Sequence, residues 1–120
     1  MRKTAKMIAT AGAVAVLLGS FTMAPQIAGA ADAKAGKKIA ENRKKGNCFA
    51  CHAYEGVKLP GNIGPPLVAM KARFPDRAKL RAQIWDPEAN NADTLMPPYG
   101  KHEIISKKDI ENIIDWLYTL

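Results

Sequence analysis

Two cysteines and two histidines are all the thiols and imidazoles that this chain of 120 residues holds. Aromatic residues are also scarce, at 7%. After the first thirty residues there is no low-complexity segment, and no internal repeat is visible anywhere. No stretch alternates apolar and polar residues as a half-buried strand would. The chain supplies no activated nucleophile, no paired carboxylates and no phosphate-cradling loop. These absences exclude an all-β fold and make independent catalysis the weakest functional reading. What is present is a mixed, mildly basic composition with a formal net charge of +7.

Part of that charge belongs to an address. "MRKTAK" is a short basic start, and "MIATAGAVAVLLG" is an apolar run of signal-peptide length. "APQIAGAADA" then places small residues at Ala28 and Ala30, ahead of cleavage before Ala31. The alternative is an uncleaved anchor, but the run is short and rich in Gly and Ala for a span of ~20 residues. Residues 1–30 are therefore expected to be a cleaved signal peptide, and residues 31–120 one small domain exported to the periplasm. The leader holds three of the 18 basic residues, leaving 15 against 11 acidic ones, or +4. Runs such as "NRKKG" read as solvated helix ends rather than a nucleic-acid surface.

The remaining segments predict helices and loops. "DAKAGKKIAENRKKG" lacks proline and β-branched runs, and is expected to be a helix with Ile39 and Ala40 inward and Gly46 as its C-terminal cap. "EGVKLPGNIGPP" is loop. "LVAMKARF" predicts a short helix stopped by Pro75, with Leu67, Val68 and Met70 as an apolar face. "DRAKLRAQIWD" predicts a helix capped by Asp76, with Leu80 and Ile84 on one face. "PEANNADTLMPPYG" is loop, its paired prolines forbidding helix. "SKKDIENIIDWLYTL" is the clearest helix, with Ile110, Ile113, Ile114 and Leu117 at helical spacing and Ser106 with Asp109 resembling a capping box. The class is all-α. Two long polar loops in so small a domain leave little apolar area to bury, which a large apolar group at the centre would remedy.

"CFACH", residues 48–52, names that group. A disulfide between Cys48 and Cys51 would close a tiny loop of little stabilising value. A thioredoxin-like pair needs a βαβ setting that is absent. A zinc site needs four ligands, and Cys48, Cys51, His52 and His102 only just reach that count. C-x-x-C-H is also the c-type haem attachment pattern. Two intervening residues in a helical turn set two thiols at the spacing of the haem vinyl groups, and the next residue can present imidazole to iron. Adjacent Cys51 and His52 would have difficulty pointing at one zinc ion. The haem reading is the one that accounts for all three residues, and it predicts one covalently bound haem c with His52 as proximal ligand.

Three side chains compete for the opposite axial position. Met96 lies in "TLMPPYG", a loop stiffened by prolines 44 residues after His52, and is the expected ligand. Met70 reads as core filler and His102 as a surface residue; an open site is the remaining option. Pro65 could offer its carbonyl to the far nitrogen of His52, against the plainer reading of a proline-rich loop. Trp85 and Tyr99 could hydrogen-bond the haem propionates, although simple packing suits Trp85 better.

With CFACH, a GP-x-L loop (Gly64, Pro65, Leu67), MPPYG and flanking helices in this order, the chain resembles class I cytochromes c. "GNCFACH", "GNIGPPL", "MKARFPDRAKLRAQIWDP", "DTLMPPYGKHEI" and the "LYTL" ending are similar to the SoxX family, the monohaem subunits of SoxAX. The resemblance implies a small all-α class I cytochrome c fold wrapped around one haem. It implies Cys48 and Cys51 as attachment residues, and His52 and Met96 as iron ligands. It further implies a SoxA-like cytochrome as heterodimeric partner, a SoxYZ-like carrier whose cysteine is conjugated to thiosulfate, and a soluble cytochrome as electron acceptor. Such a subunit would serve an L-cysteine S-thiosulfotransferase complex without being catalytic alone. The alternative that needs only CFACH and Met96 is a stand-alone periplasmic electron shuttle. An enzyme or gas sensor with an open haem face is the third reading.

Overall fold

The computed structural model describes residues 32–120; the expected leader, residues 1–30, lies outside the described residues. Four α-helices run in the order α1 (Ala33–Glu41), α2 (Met70–Arg73), α3 (Arg77–Trp85) and α4 (Lys107–Leu117). Single 3-10 turns occur at Cys48–Ala50 and Pro87–Ala89. No strand is present among the described residues, so the all-α class is borne out.

α1 begins where Asp32 turns its carboxylate onto the free backbone N–H groups of Lys34 and Ala35, at 2.8 and 3.1 Å. Its inner face is small: Gly36 and Ala40 are both buried. That lets α1 lie directly on α4, the most extensive helix contact among the described residues. The Asp32 N–H also donates to the side-chain oxygen of Asn112 at 2.9 Å. Asn112 is a buried polar residue of α4, so this bond meets its need for a partner while fixing the register of the two helices.

The expected helix through residue 45 is shorter in the structure. α1 stops at Glu41 because Asn42 takes an extended backbone. Gly46 does not act as a left-handed cap; its N–H reaches back to the Ile39 carbonyl at 3.2 Å, satisfying one of the open carbonyls at the helix end. α2 is a single turn, and its expected apolar face is only partly present: Leu67 and Met70 are buried, but Val68 is exposed. α3 is capped by Asp76, whose carboxylate accepts from the Ala78 N–H at 2.8 Å, and buries Leu80 and Ile84. In α4, Ser106 accepts from the Asp109 N–H at 3.1 Å. Ile110, Ile113, Ile114, Trp116 and Leu117 are buried there.

α3 and α4 are also joined by charge. Arg77 bridges Glu111 at 3.0 Å and Asp115 at 2.5 Å, and Arg81 pairs with Glu111 as well. Glu111 is consequently held below its ordinary pKa, first by the Arg81 hydrogen bond and then by Arg77. The C-terminus closes the frame, with the Met70 N–H donating to the Leu120 carbonyl at 3.2 Å. The helices thus form one wall. The segments 42–69 and 86–106 carry the residues singled out for chemistry.

Candidate functional site

Asn47 enters the motif in a left-handed conformation (φ 46°), and Cys48–Ala50 forms one 3-10 turn. The N–H groups of Cys51 and His52 both close onto the Cys48 carbonyl, at 3.3 and 2.9 Å. The expected helical turn between the two cysteines is present. Both thiols are free and half-buried. Burial pushes the Cys48 thiol up to about 11, so it is held as a neutral thiol rather than a thiolate.

The loop that follows folds back onto this turn. Gly61 donates to the Phe49 carbonyl at 2.8 Å, Gly64 to Cys51 at 2.8 Å, and Leu67 to Ala53 at 2.7 Å. Those three bonds bring Pro65 beside the histidine ring. The His52 Nδ1 lies 2.7 Å from the Pro65 carbonyl. A carbonyl can only accept, so Nδ1 carries a proton, and in the neutral ring Nε2 is the nitrogen left with a lone pair. Gly64 packs against the same ring, where a Cβ would stand 2.6 Å from Nδ1 and 2.9 Å from Nε2. The chain therefore needs glycine at 64 to seat His52 at all.

Met96 is half-buried at the edge of the core. Its N–H donates to Thr94 Oγ1 at 3.2 Å, and its sulfur lies 4.0 Å from the Gln83 amide nitrogen. Met70 is 3% exposed inside the core, with its sulfur 3.6 Å from the Arg73 guanidinium. His102 is exposed. Of the three candidates, Met96 alone combines a loop position with a half-exposed side chain.

Tyr99 is buried, and its phenol donates to the Gly46 carbonyl at 2.5 Å. Burial is the main cause that pushes its pKa up to about 12, with Cys48 and Cys51 adding to it. Trp85 packs: Gly100 lies against its ring, and the Lys107 ammonium sits 5.6 Å from its centroid. The sequence reading missed an aromatic cluster next to the motif. Tyr54 and Trp116 meet edge to face at 5.5 Å, and Phe49 lies 4.7 Å from Tyr54. Residues 49, 54 and 116 share no periodicity, so no sequence signal could have found it.

The donor set fits haem c. Two free thiols one turn apart, an imidazole whose Nε2 has its lone pair available, and a thioether on a second loop are the chemistry that group takes. Apolar side chains left exposed on the same loops suit an apolar group: Ile63 directly precedes Gly64, Val68 follows Leu67, and Leu95 precedes Met96. Zinc fits less well. Among the described residues no three His, Cys, Asp or Glu side chains gather to hold a metal ion. Two cavities of about 370 and 290 Å³ lie elsewhere, around Trp85, and neither is lined by Cys48, Cys51, His52 or Met96.

Known proteins agree with this architecture. A family model described as "Cytochrome C oxidase, cbb3-type, subunit III" matches residues 31–117. A protein of Aquifex aeolicus (strain VF5), named an uncharacterized lipoprotein, is 30% identical over 76 residues, 62% of this chain and 37% of that one. The matched stretch thus spans little more than a third of that relative. The crystal structure of SoxXA from P. pantotrophus matches with a TM-score of 0.68 and 24% identity, covering 77% of this chain and 83% of that chain. At that identity the likeness is one of fold.

Proposed function

The chain belongs to the c-type cytochrome family of cbb3-type cytochrome c oxidase subunit III, and on that premise we propose that it is an exported monohaem cytochrome that relays electrons within a thiosulfate-oxidising complex. Family membership makes it an electron-transfer protein and implies covalently bound haem c. The finer reading assigns one haem to residues 31–120, bonded through Cys48 and Cys51 and ligated by His52 and Met96. Residues 1–30 are the signal peptide that delivers the chain to the periplasm. Among the described residues no helix is long and apolar enough to cross a membrane.

One observation carries the ligand assignment. The 2.7 Å contact from His52 Nδ1 to Pro65 fixes the tautomer, frees Nε2 and makes the imidazole a better donor. Bound haem supplies one-electron chemistry. The protein's own residues decide how little moves when the electron arrives. Pro65 and Gly64 hold the His52 ring from two sides, and the prolines after Met96 limit the freedom of its loop.

The complex itself is inferred from fold and motif together. The SoxXA fold and the "RFPDRAKLRAQIWDP" stretch support a SoxA-like cytochrome partner, a SoxYZ-like carrier as the site of thiosulfate conjugation, and a soluble cytochrome as acceptor. The relay would not be catalytic alone. Two measurements test it. Optical spectra of the purified periplasmic protein should show a c-type haem with the weak near-infrared band of thioether-ligated ferric iron. Tagged protein should co-purify with a second haem subunit. A haem spectrum from a protein that stays monomeric beside a SoxA-like cytochrome would leave a stand-alone shuttle, and no haem spectrum would sink both.

A further inference from the structure

The loop carrying Met96 is anchored at its own base, where the Gly100 and Lys101 N–H groups donate to the Trp85 carbonyl at 3.2 and 3.0 Å. Its link to the other half of the site is different. The Tyr99 phenol reaches the Gly46 carbonyl, 53 positions away and two before Cys48. Among the described residues no other hydrogen bond joins residues 42–66 to residues 90–105. Both ends of this bond are themselves fixed. Gly46 is buried and bonded to Ile39 of α1; the Tyr99 carbonyl accepts from the N–H groups of Ile104 and Ile105, at 2.9 and 3.3 Å. Met96, by contrast, packs at the core's edge with only a local bond to Thr94 and one long sulfur contact, to Gln83, and Asp93, Leu95 and Pro97 near it are exposed.

We propose that Tyr99 is a positioning residue, clamping the Met96 loop onto the Cys48 loop and so setting how readily the thioether leaves the iron. The proposal rests on the reading of Met96 as the sixth ligand. The hydroxyl does what the flexible methionine side chain cannot: it fixes the height of the loop above the attachment turn. Without it the loop keeps its base at Trp85 and loses its registration on the Cys48 side.

The test is imidazole displacement in the oxidised holoprotein, followed by loss of the near-infrared band. Tyr99→Phe keeps the ring and removes the hydroxyl. It is expected to lower the half-displacing imidazole concentration about fivefold, the factor one buried hydrogen bond of ordinary net worth supplies. Tyr118→Phe is the control, because Tyr118 donates a similar bond to the Phe74 carbonyl at 2.8 Å, away from the Met96 loop. It should stay within about twofold of the parent, well inside the effect of one such bond. An unchanged Tyr99→Phe, or equal weakening in both variants, overturns the proposal. Met96→Ala separates the two levels. If it retains the band, the ligand reading fails and the proposal with it; if it loses the band while Tyr99→Phe is unchanged, the proposal alone fails. Hydrogen exchange on the unmutated holoprotein gives a check free of folding defects. Imidazole should open the Met96 amide and leave the Ile104 and Ile105 amides protected. Opening of all three together would show that Tyr99 is not the fixed point.

Discussion

Replacing Gly36 by alanine should loosen the contact between α1 and α4 that frames the whole site. A Cβ at position 36 would stand 2.8 Å from the Ile113 nitrogen and closer still to the Asn112 carbonyl. Both are backbone atoms of a helix, so neither can swing aside. Ordinary van der Waals contact begins at 3.4 Å, and the helices must therefore part by roughly an ångström. Overpacking of this kind costs ~1–3 kcal/mol, occasionally more, and a rigid backbone on both sides puts Gly36 at the upper end. Parting the helices also stretches the Asp32–Asn112 hydrogen bond, with a net worth of ~1 kcal/mol. Against this, alanine is better than glycine in a helix by ~1 kcal/mol. The balance is a loss of ~2–3 kcal/mol, or about 10–20 °C in the melting temperature of a domain this size. Thermal unfolding of the holoprotein followed by circular dichroism measures it. Gly56→Ala is the comparison, since nothing lies within 4 Å of a Cβ there and only its positive φ of 85° is strained. If Gly36→Ala melts at or above the parent temperature, helix propensity has outweighed the steric clash and the close-approach argument is wrong.

Other substitutions bear on the site and its frame. Gly64→Ala should drive the His52 ring off the Pro65 carbonyl, because the new methyl would lie 2.6 Å from Nδ1; the expected result is a mixture of spin states in the ferric spectrum, and an unchanged spectrum would refute the cradle. Met96→Ala should keep the covalent haem and lower the reduction potential, since thioether ligation favours the reduced state; potentiometry reads this directly, and an unchanged potential would remove Met96 from the ligand set. Glu111→Gln should cost less than about 1 kcal/mol, as expected for ion pairs that are partly exposed. Its pH dependence is the sharper signal. Arg81 and Arg77 depress the folded pKa of Glu111, so its contribution is present above the ordinary value of 4.5 and is lost as pH falls through the folded one. Parent and variant should therefore differ in stability at neutral pH and converge in acid; a difference that does not shrink as pH falls would contradict the pairing.

The helices were legible because their signals are local. The Asp76 and Ser106 caps, and the apolar spacing in α4, lie within a turn of what they control, and the structure agrees with each of them. Where the sequence misleads, a distant partner decides. α1 could have continued through "NRKKG" on propensity alone. Instead the chain turns at Asn42, so that Gly46 can bond Ile39 and present its carbonyl to Tyr99. Composition alone puts Val68 on an apolar face. Ala69 then takes a left-handed conformation (φ 47°), which starts α2 at Met70, three residues after Leu67, and leaves Val68 outside.

The site divides along the same line. Cys48, Cys51 and His52 sit within five residues, so their chemistry can be read as a word, and Pro65 follows closely enough that its carbonyl could be named in advance. Nothing local says where Met96 stands relative to them. A thioether 44 residues from the imidazole can only be placed by contacts between loops, and the structure supplies such a contact through the Tyr99 phenol. On sequence alone that tyrosine reads as a hydrogen-bond donor to haem propionates. Its burial gives it a partner within the protein: a hydroxyl closed off from water must find one inside, and the carbonyl it finds is that of Gly46, two residues before Cys48. Thus the same shortage of apolar core that first pointed to a bound macrocycle also explains why one buried hydrogen bond matters. In a domain built of two loops on a helical wall, the geometry between the loops rests on very few contacts.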